Sequence, residues 1–209
     1  MLPSATRLAQ LFGGCVVLGV GVTLLLTPQL GSDGFSTLVS GLSRATGMAF
    51  VLANALVSLM FLALAWVRGL RPGLGTVVQI VVVGSTVSLG LRLLEQPDAW
   101  WARGLMLLVA FPVLAVGIAL YLGSHLGAGP AEAAALAWDP PVPFAWSYSA
   151  VQGFGALVGW QLGGAIGLGT IAVIVLLGPT VDLAGRLLRV DVHQPDGPGE
   201  TTEARHPDG

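Results

Sequence analysis

Gly73-Leu-Gly-Thr76 opens an apolar segment that closes on Arg92-Leu-Leu94, and Gly167-Leu-Gly-Thr170 opens another that closes on Arg186-Leu-Leu188. Across these stretches 13 of 22 positions are identical at a fixed offset of 94 residues. A fainter echo at an offset of 96 matches Arg7, Leu11, Leu18, Gly21, Leu24, Leu26, Leu30 and Gly31 to Arg103, Leu107, Leu114, Gly117, Leu120, Leu122, Leu126 and Gly127. Duplication constrains architecture more than any single motif, because both copies must fold alike. The chain reads as two copies of one unit, about 7–94 and 103–188.

Each copy is too apolar for water. Of the 209 residues 54% are apolar and 10% are charged, with a mean hydropathy of +0.82; an average soluble domain has about 25% charged residues. A core of this size cannot hide so much apolar surface, so lipid is the expected solvent. All nine basic residues are arginine and the net charge is -2, which leaves no basic concentration for nucleic acid. Cys15 is alone, so there is no disulfide framework. Arg7 followed by an apolar run opens like a signal peptide, yet no small-x-small cleavage pattern follows and the run has its echo in the second copy. It is expected to be a retained span.

Six apolar runs reach spanning length, at about 8–26, 49–67, 74–94, 105–122, 146–162 and 168–188. After the first run of each copy comes a longer interval, 31–47 and 127–145. Each reads as a glycine turn and a short helix, with Asp33 or Pro130/Glu132 at its start, lying at the interface or dipping partway in. The expected fold class is an all-α membrane protein in one domain, 1–189, followed by a disordered polar tail, 190–209. Three spans per copy is odd, so the second copy must enter from the opposite side, giving inverted three-helix repeats. Arg7, Arg68, Arg71, Arg186, Arg189 and Arg205 against Arg44, Arg92 and Arg103 place both termini in the cytoplasm. Trp66, Trp100, Trp101, Trp138 and Trp146 fall at span ends, as an aromatic belt requires.

Several residues are candidates for function. At fourfold spacing the third run shows Thr76, Ile80, Gly84, Ser88 and Arg92, and the sixth shows Thr170, Ile174, Gly178, Asp182 and Arg186. Such a ridge either lines a polar path between the halves or lets helices approach and hydroxyls bond across them. Asp182 stands well inside an apolar span, either as a functional carboxylate or as an i, i+4 partner of Arg186. Asp33 and Glu132 form a candidate loop site. Gly155, Gly159, Gly163 and Gly167 recur every four residues, a small-residue seam for a neighbour in the chain or in a homodimer. The Gly-Leu-Gly-Thr turns are either tight connections or anion-binding helix starts. His125, His193 and His206 have no metal spacing, and no nucleophile elbow, Walker loop or carboxylate pair appears. No catalytic, metal or cofactor residue is expected, and no enzyme.

The glycine turn after the first span, Gly-Leu-Ser-Arg-Ala-Thr-Gly at Gly41–Gly47 and Pro-Gly-Leu-Gly-Thr at Pro72–Thr76 resemble the YczE/YyaS/YitT-type bacterial membrane proteins. Leu126-Gly-Ala-Gly-Pro130 and Gly167-Leu-Gly-Thr170 are similar to that family's second half. The likeness covers about 7–188 and implies a bacterial plasma-membrane protein without implying a substrate. Two functions remain open: a small transporter or permease-like protein with its solute path between the repeats, and a non-transporting scaffold or regulator acting through helix contacts. Polar residues converging on a central cavity favour the first; a dry, fully packed centre favours the second.

Overall fold

The computed structural model describes residues 4–70, 73–138, 141, 142 and 144–190, without the side chains of residues 136, 144, 145, 178, 179 and 182. The expected polar tail lies outside the described residues from 191 onward. Among the described residues the chain forms eight helices and no strand: α1 Ala5–Leu26, α2 Gly34–Thr46, α3 Phe50–Val67, α4 Leu74–Leu93, α5 Trp100–Leu122, α6 Pro130–Leu136, α7 Phe144–Gln161 and α8 Leu168–Leu188. Six are long and two short, and the short ones follow the first long helix of each copy.

Local chemistry sets these boundaries. Asp33 caps α2 by accepting the Ser36 N–H at 2.8 Å, and Pro130 occupies the first turn of α6, where a missing N–H costs nothing. Gly73 and Gly167 each donate their N–H to the hydroxyl three residues on, Thr76 and Thr170, at 3.2 and 3.3 Å. After α1 and α5 the chain turns through left-handed residues at matched places, Gln29 and His125, then Gly31 and Gly127. The turn geometry is kept where the side chains have diverged.

The same kinds of helix pair touch in the first four helices as in the last four, though α3–α4 meet far more closely than α7–α8. The pairs α1–α4, α2–α3, α2–α7 and α3–α4 have equivalents in α5–α8, α6–α7, α3–α6 and α7–α8, and α1–α5 maps onto itself. α1 and α5 run antiparallel. A Cβ on Gly117 would lie 2.5 Å from the Leu18 nitrogen, and one on Gly21 would lie 2.9 Å from the Leu114 nitrogen. Leu18 and Leu114, like Gly21 and Gly117, are duplicated positions, so the repeat has been turned into a reciprocal contact.

The Gly-Leu-Gly-Thr motifs join the copies as a pair of clasps. Gly75 donates to the Leu126 carbonyl at 2.7 Å, and Gly169 donates to the Leu30 carbonyl at 2.9 Å. Each motif thus grips the loop of the other copy. Thr76 adds a hydroxyl bond to the Ala128 carbonyl at 2.7 Å. These starts serve backbone docking, with helix N–H groups occupied by loop carbonyls.

The surface is unlike that of a water-soluble domain. Leu59, Leu64, Val67, Trp66, Trp100, Trp101 and Trp146 are exposed, while Thr37, Asn54, Ser58, Thr76, Ser124 and Gln152 are buried within a largely apolar core. An apolar exterior with polar side chains kept inside fits a lipid solvent. Where the sequence suggests six spans, among the described residues four helices have the length and apolarity to cross a membrane by themselves: α1, α3, α4 and α5. α7 is diluted by Ser147, Tyr148 and Gln152. α8 is apolar over Leu168–Leu177, and the side chains of 178, 179 and 182 further along it lie outside the described residues.

The two short helices position the site. α2 runs alongside the second half of α7: Gly34 abuts the Gln152 carbonyl, Gly41 the Gly159 carbonyl, and Arg44 donates to Gly163 O at 3.3 Å. α6 runs alongside the second half of α3, where Arg68 donates to Ala137 O at 3.2 Å and stacks 4.6 Å over the Trp138 ring. Each short helix therefore starts level with the middle of a long one and ends at its C-terminus, where an arginine meets free carbonyls.

Candidate functional site

The starts of α2 and α6 open on one chamber of about 70 Å³ at the junction of the copies. Its walls follow the same exchange as the fold. Leu18 and Leu114, Val22 and Ile118, Ser36 and Glu132, Asn54 and Tyr148, Ser58 and Gln152, and Val83 and Leu177 are six matched pairs that line it. The cavity is thus walled by residues at matched sequence positions from both halves of the chain.

Two carboxyls face this space. Asp33 is the cap of α2, and Glu132 stands in the first turn of α6. Both lie off the long helices, and burial pushes both carboxyls above the ordinary carboxylate range; for Asp33 the Ser36 N–H bond opposes this, and for Glu132 the charge of Asp33 adds to it. No described arginine lines the chamber. The described arginines at 7, 44, 68, 92, 103, 186 and 189 fall at or near helix ends.

A polar frame holds the carboxyls. Gln152 on α7 accepts the Phe35 N–H at 3.1 Å, so the start of α2 is pinned by the opposite copy, and it donates to the Tyr148 hydroxyl at 2.8 Å. Asn54 on α3 donates to Ile80 O at 3.0 Å. The Gln79 amide lies over Gly129, where a Cβ would press on both it and the Glu132 carboxyl and displace these flexible side-chain ends. Tyr121, fully buried, turns its hydroxyl toward Glu132 and the Gly129 backbone without the geometry of a formed hydrogen bond. The oxygens Ser58 Oγ and Gln79 Oε1 are buried with no partner, on residues that line the cavity.

Of the sequence candidates, Asp33 and Glu132 are brought together here. The fourfold ridges are not. Thr76 and Thr170 are buried at the clasps, Arg92 and Arg186 are exposed at helix ends, and Ser88 lies apart from the chamber lining. Of the two readings of the ridges, Thr76 and Thr170 show hydroxyls bonding at the helix starts. Among the described ridge residues Ile80 alone lines the chamber. The Asp182 side chain lies outside the described residues, so its pairing with Arg186 is not placed.

The glycine seam is only half a seam. Gly155 and Gly159 pack on the α2 backbone at Gly34 and Thr37/Leu38, within the chain, which takes up the face a second copy would need. Gly163 lies beyond the end of α7 with φ +91° and nothing beside it, and Gly167 docks on the Leu30 carbonyl. The residues that sequence reasoning passes over are Asn54, Ser58, Gln79, Tyr148 and Gln152. Their signal is there to be read: Asn54 and Ser58, and Tyr148 and Gln152, are polar pairs at i, i+4 in matched spans, 94 residues apart.

A second cleft of about 210 Å³ lies at the end of the bundle where α1, α2 and α4 finish, bordered by Gln29, Ser43, Arg44 and Gln96. Phe50, only 7% exposed, borders both this cleft and the chamber.

No solved structure matches the chain. An uncharacterized protein of Haemophilus influenzae is 29% identical over 167 residues, spanning 79% of this chain and 77% of the relative. A family model described as a family of unknown function, DUF6198, matches residues 5–186, and the chain belongs to that family.

Proposed function

We propose that this protein is a small, non-enzymatic membrane transporter, with its binding chamber on the pseudo-two-fold axis between two inverted repeats of three spans. The observation that carries this reading is that each repeat brings a short helix start and one carboxyl to a single chamber lined by equivalent residues of both. A scaffold has no use for buried carboxyls, whose desolvation costs several kcal/mol unless compensated. Discontinuous helices ending at mid-depth are the recurring means by which inverted-repeat transporters place polar groups inside lipid. The antiparallel α1 and α5, in reciprocal glycine contact, supply an axis about which two equivalent arrangements interconvert.

In this reading α2 rides on α7 and α6 on α3, each long helix carrying the short helix of the other repeat. Tilting one pair against the other opens the chamber first to one face and then to the opposite one. The arginine excess at the end bearing Arg7, Arg68, Arg186 and Arg189 sets that end, and both termini, in the cytoplasm of a bacterial plasma membrane. The likeness to YczE/YyaS/YitT-type proteins agrees with this placement.

Accessibility of the chamber tests the reading. In a Cys15→Ser background, Ser58→Cys in sealed vesicles is expected to react with a membrane-impermeant thiol reagent from each face in turn, as conditions shift the two states. Labelling from neither face, with the protein folded, describes a closed packing core and supports the scaffold alternative.

A further inference from the structure

The polar groups around the chamber are unevenly matched. The backbone and amide donors named so far are taken: Ser36 N–H by Asp33, Phe35 N–H by Gln152 Oε1, and the Asn54 amide by the Ile80 carbonyl. What is left over is oxygen. Two carboxyls face the cavity, and Ser58 Oγ, on a side chain only 1% exposed, and Gln79 Oε1 have no partner. Two carboxyls with a hydroxyl and an amide oxygen left unpartnered in one space offer oxygen ligands to a positive ion, the hydroxyl turning its lone pairs inward.

Size and charge narrow the class. A cavity of about 70 Å³ holds a handful of waters at the roughly 10–15 Å³ each requires, so a drug-sized organic cation is excluded. Two ionised carboxylates in one desolvated space repel each other, and no described arginine lines the space to offset them. Hard oxygen donors without sulfur or imidazole suit a hard ion. We propose that the chamber binds one small hard cation, sodium or a proton, between Asp33 of the first repeat and Glu132 of the second, with Ser58 and Gln79 completing the oxygen shell. This deepens the transporter reading by naming its ion, and it gives the repeats something to share: neither half owns a complete site.

The test uses the purified full-length protein in detergent. Thermal melting is followed by tryptophan fluorescence in sodium, potassium and choline chloride at one ionic strength and alkaline pH. If sodium is the occupant, Tm rises saturably with sodium over choline. Ser58→Ala then shifts the half-saturating concentration upward several-fold, and Glu132→Gln and Asp33→Asn abolish the response. If the occupant is a proton, sodium has no effect. The wild type in weak buffer instead takes up more acid near neutral pH than Glu132→Gln, and Ser58→Ala moves that uptake to lower pH. A wild-type protein that melts identically in all three salts and takes up no proton near neutrality overturns the proposal whether or not the variants fold. Cation binding without alternating exposure of residue 58 leaves this site standing and removes the transport reading. Alternating exposure without either cation response does the reverse.

Discussion

Asp33 and Glu132 are not equivalent positions, yet they do equivalent work. Residue 33 is the cap of α2 and residue 36, its third helical position, is Ser; in the second copy the cap is Gly129 and the third position is Glu132. A capping box uses a side chain at both places. Here one copy keeps the acidic group at the cap and the other keeps it at the third position, so each helix start carries one carboxyl. The raised carboxyls fix the sign of the pH dependence. A carboxyl whose folded pKa lies above its unfolded value stabilises below the unfolded pKa, and this contribution is lost as pH rises through the folded one. In sodium-free choline buffer the Tm of the wild type should therefore fall as pH climbs above the ordinary carboxylate range. Asp33→Asn keeps the cap, since Asn caps as well as Asp, and should flatten that fall. Asp33→Ala should flatten it too and, at acid pH, should lower Tm through about 1 kcal/mol of lost capping. Melting curves of the three proteins between acid and alkaline pH settle this; a wild-type Tm that rises with pH would contradict the assignment.

At the scale of helices, the molecule is held by backbone meeting backbone where side chains have been removed. A Cβ on Gly159 would lie 2.5 Å from Leu38 N and from Thr37 backbone atoms, none of which belongs to a flexible side chain that can move aside. Gly159→Ala is expected to cost about 1–3 kcal/mol, as overpacking does. Gly153, on the same helix with nothing within 4 Å of where a Cβ would stand, should tolerate alanine within about 0.5 kcal/mol. Equal melting of the two variants would refute the close approach of α2 and α7. The clasps make a parallel prediction: Thr76→Val removes a 2.7 Å bond to Ala128 and the bond from Gly73, for about 1–3 kcal/mol in detergent unfolding. These elements show what a sequence can disclose. The repeat offsets locate both clasps, because duplicated glycines must serve duplicated contacts, and the apolar runs locate the long helices. The seam fails past Gln161, because a period of four continues in sequence after the helix it depends on has ended. On the ridges, Thr76 and Thr170 serve their own helix starts, and the Asp182 side chain lies outside the described residues. The chamber is half visible: its acids are marked by helix-start chemistry, whereas Ser58 and Gln152 gain meaning only when α2 and α6 cross to the opposite copy.

For the whole molecule, the question is which route joins the chamber to water. The chamber and the cleft beside Arg44 share a single wall residue, Phe50, at the first turn of α3. Its ring is nearly buried between a small polar space and a larger one bordered by Gln29, Ser43 and Gln96. If the copies alternate, the arrangement described here is closed at this end by that ring, and removing it should open the path without touching the carboxyls. Phe50→Ala, in the Cys15→Ser, Ser58→Cys background, is expected to raise the rate of labelling at residue 58 several-fold from the face bearing Arg44, Arg92 and Arg103. The rate from the opposite face should not change. Truncating a buried Phe costs roughly 3–5 kcal/mol in a packed core, so Phe50→Leu, which keeps more of the bulk, serves as the gentler companion and should give a smaller rise in the same direction. A symmetric increase from both faces would mean general loosening. No increase in either variant would mean that the chamber reaches that face by some route other than past α3.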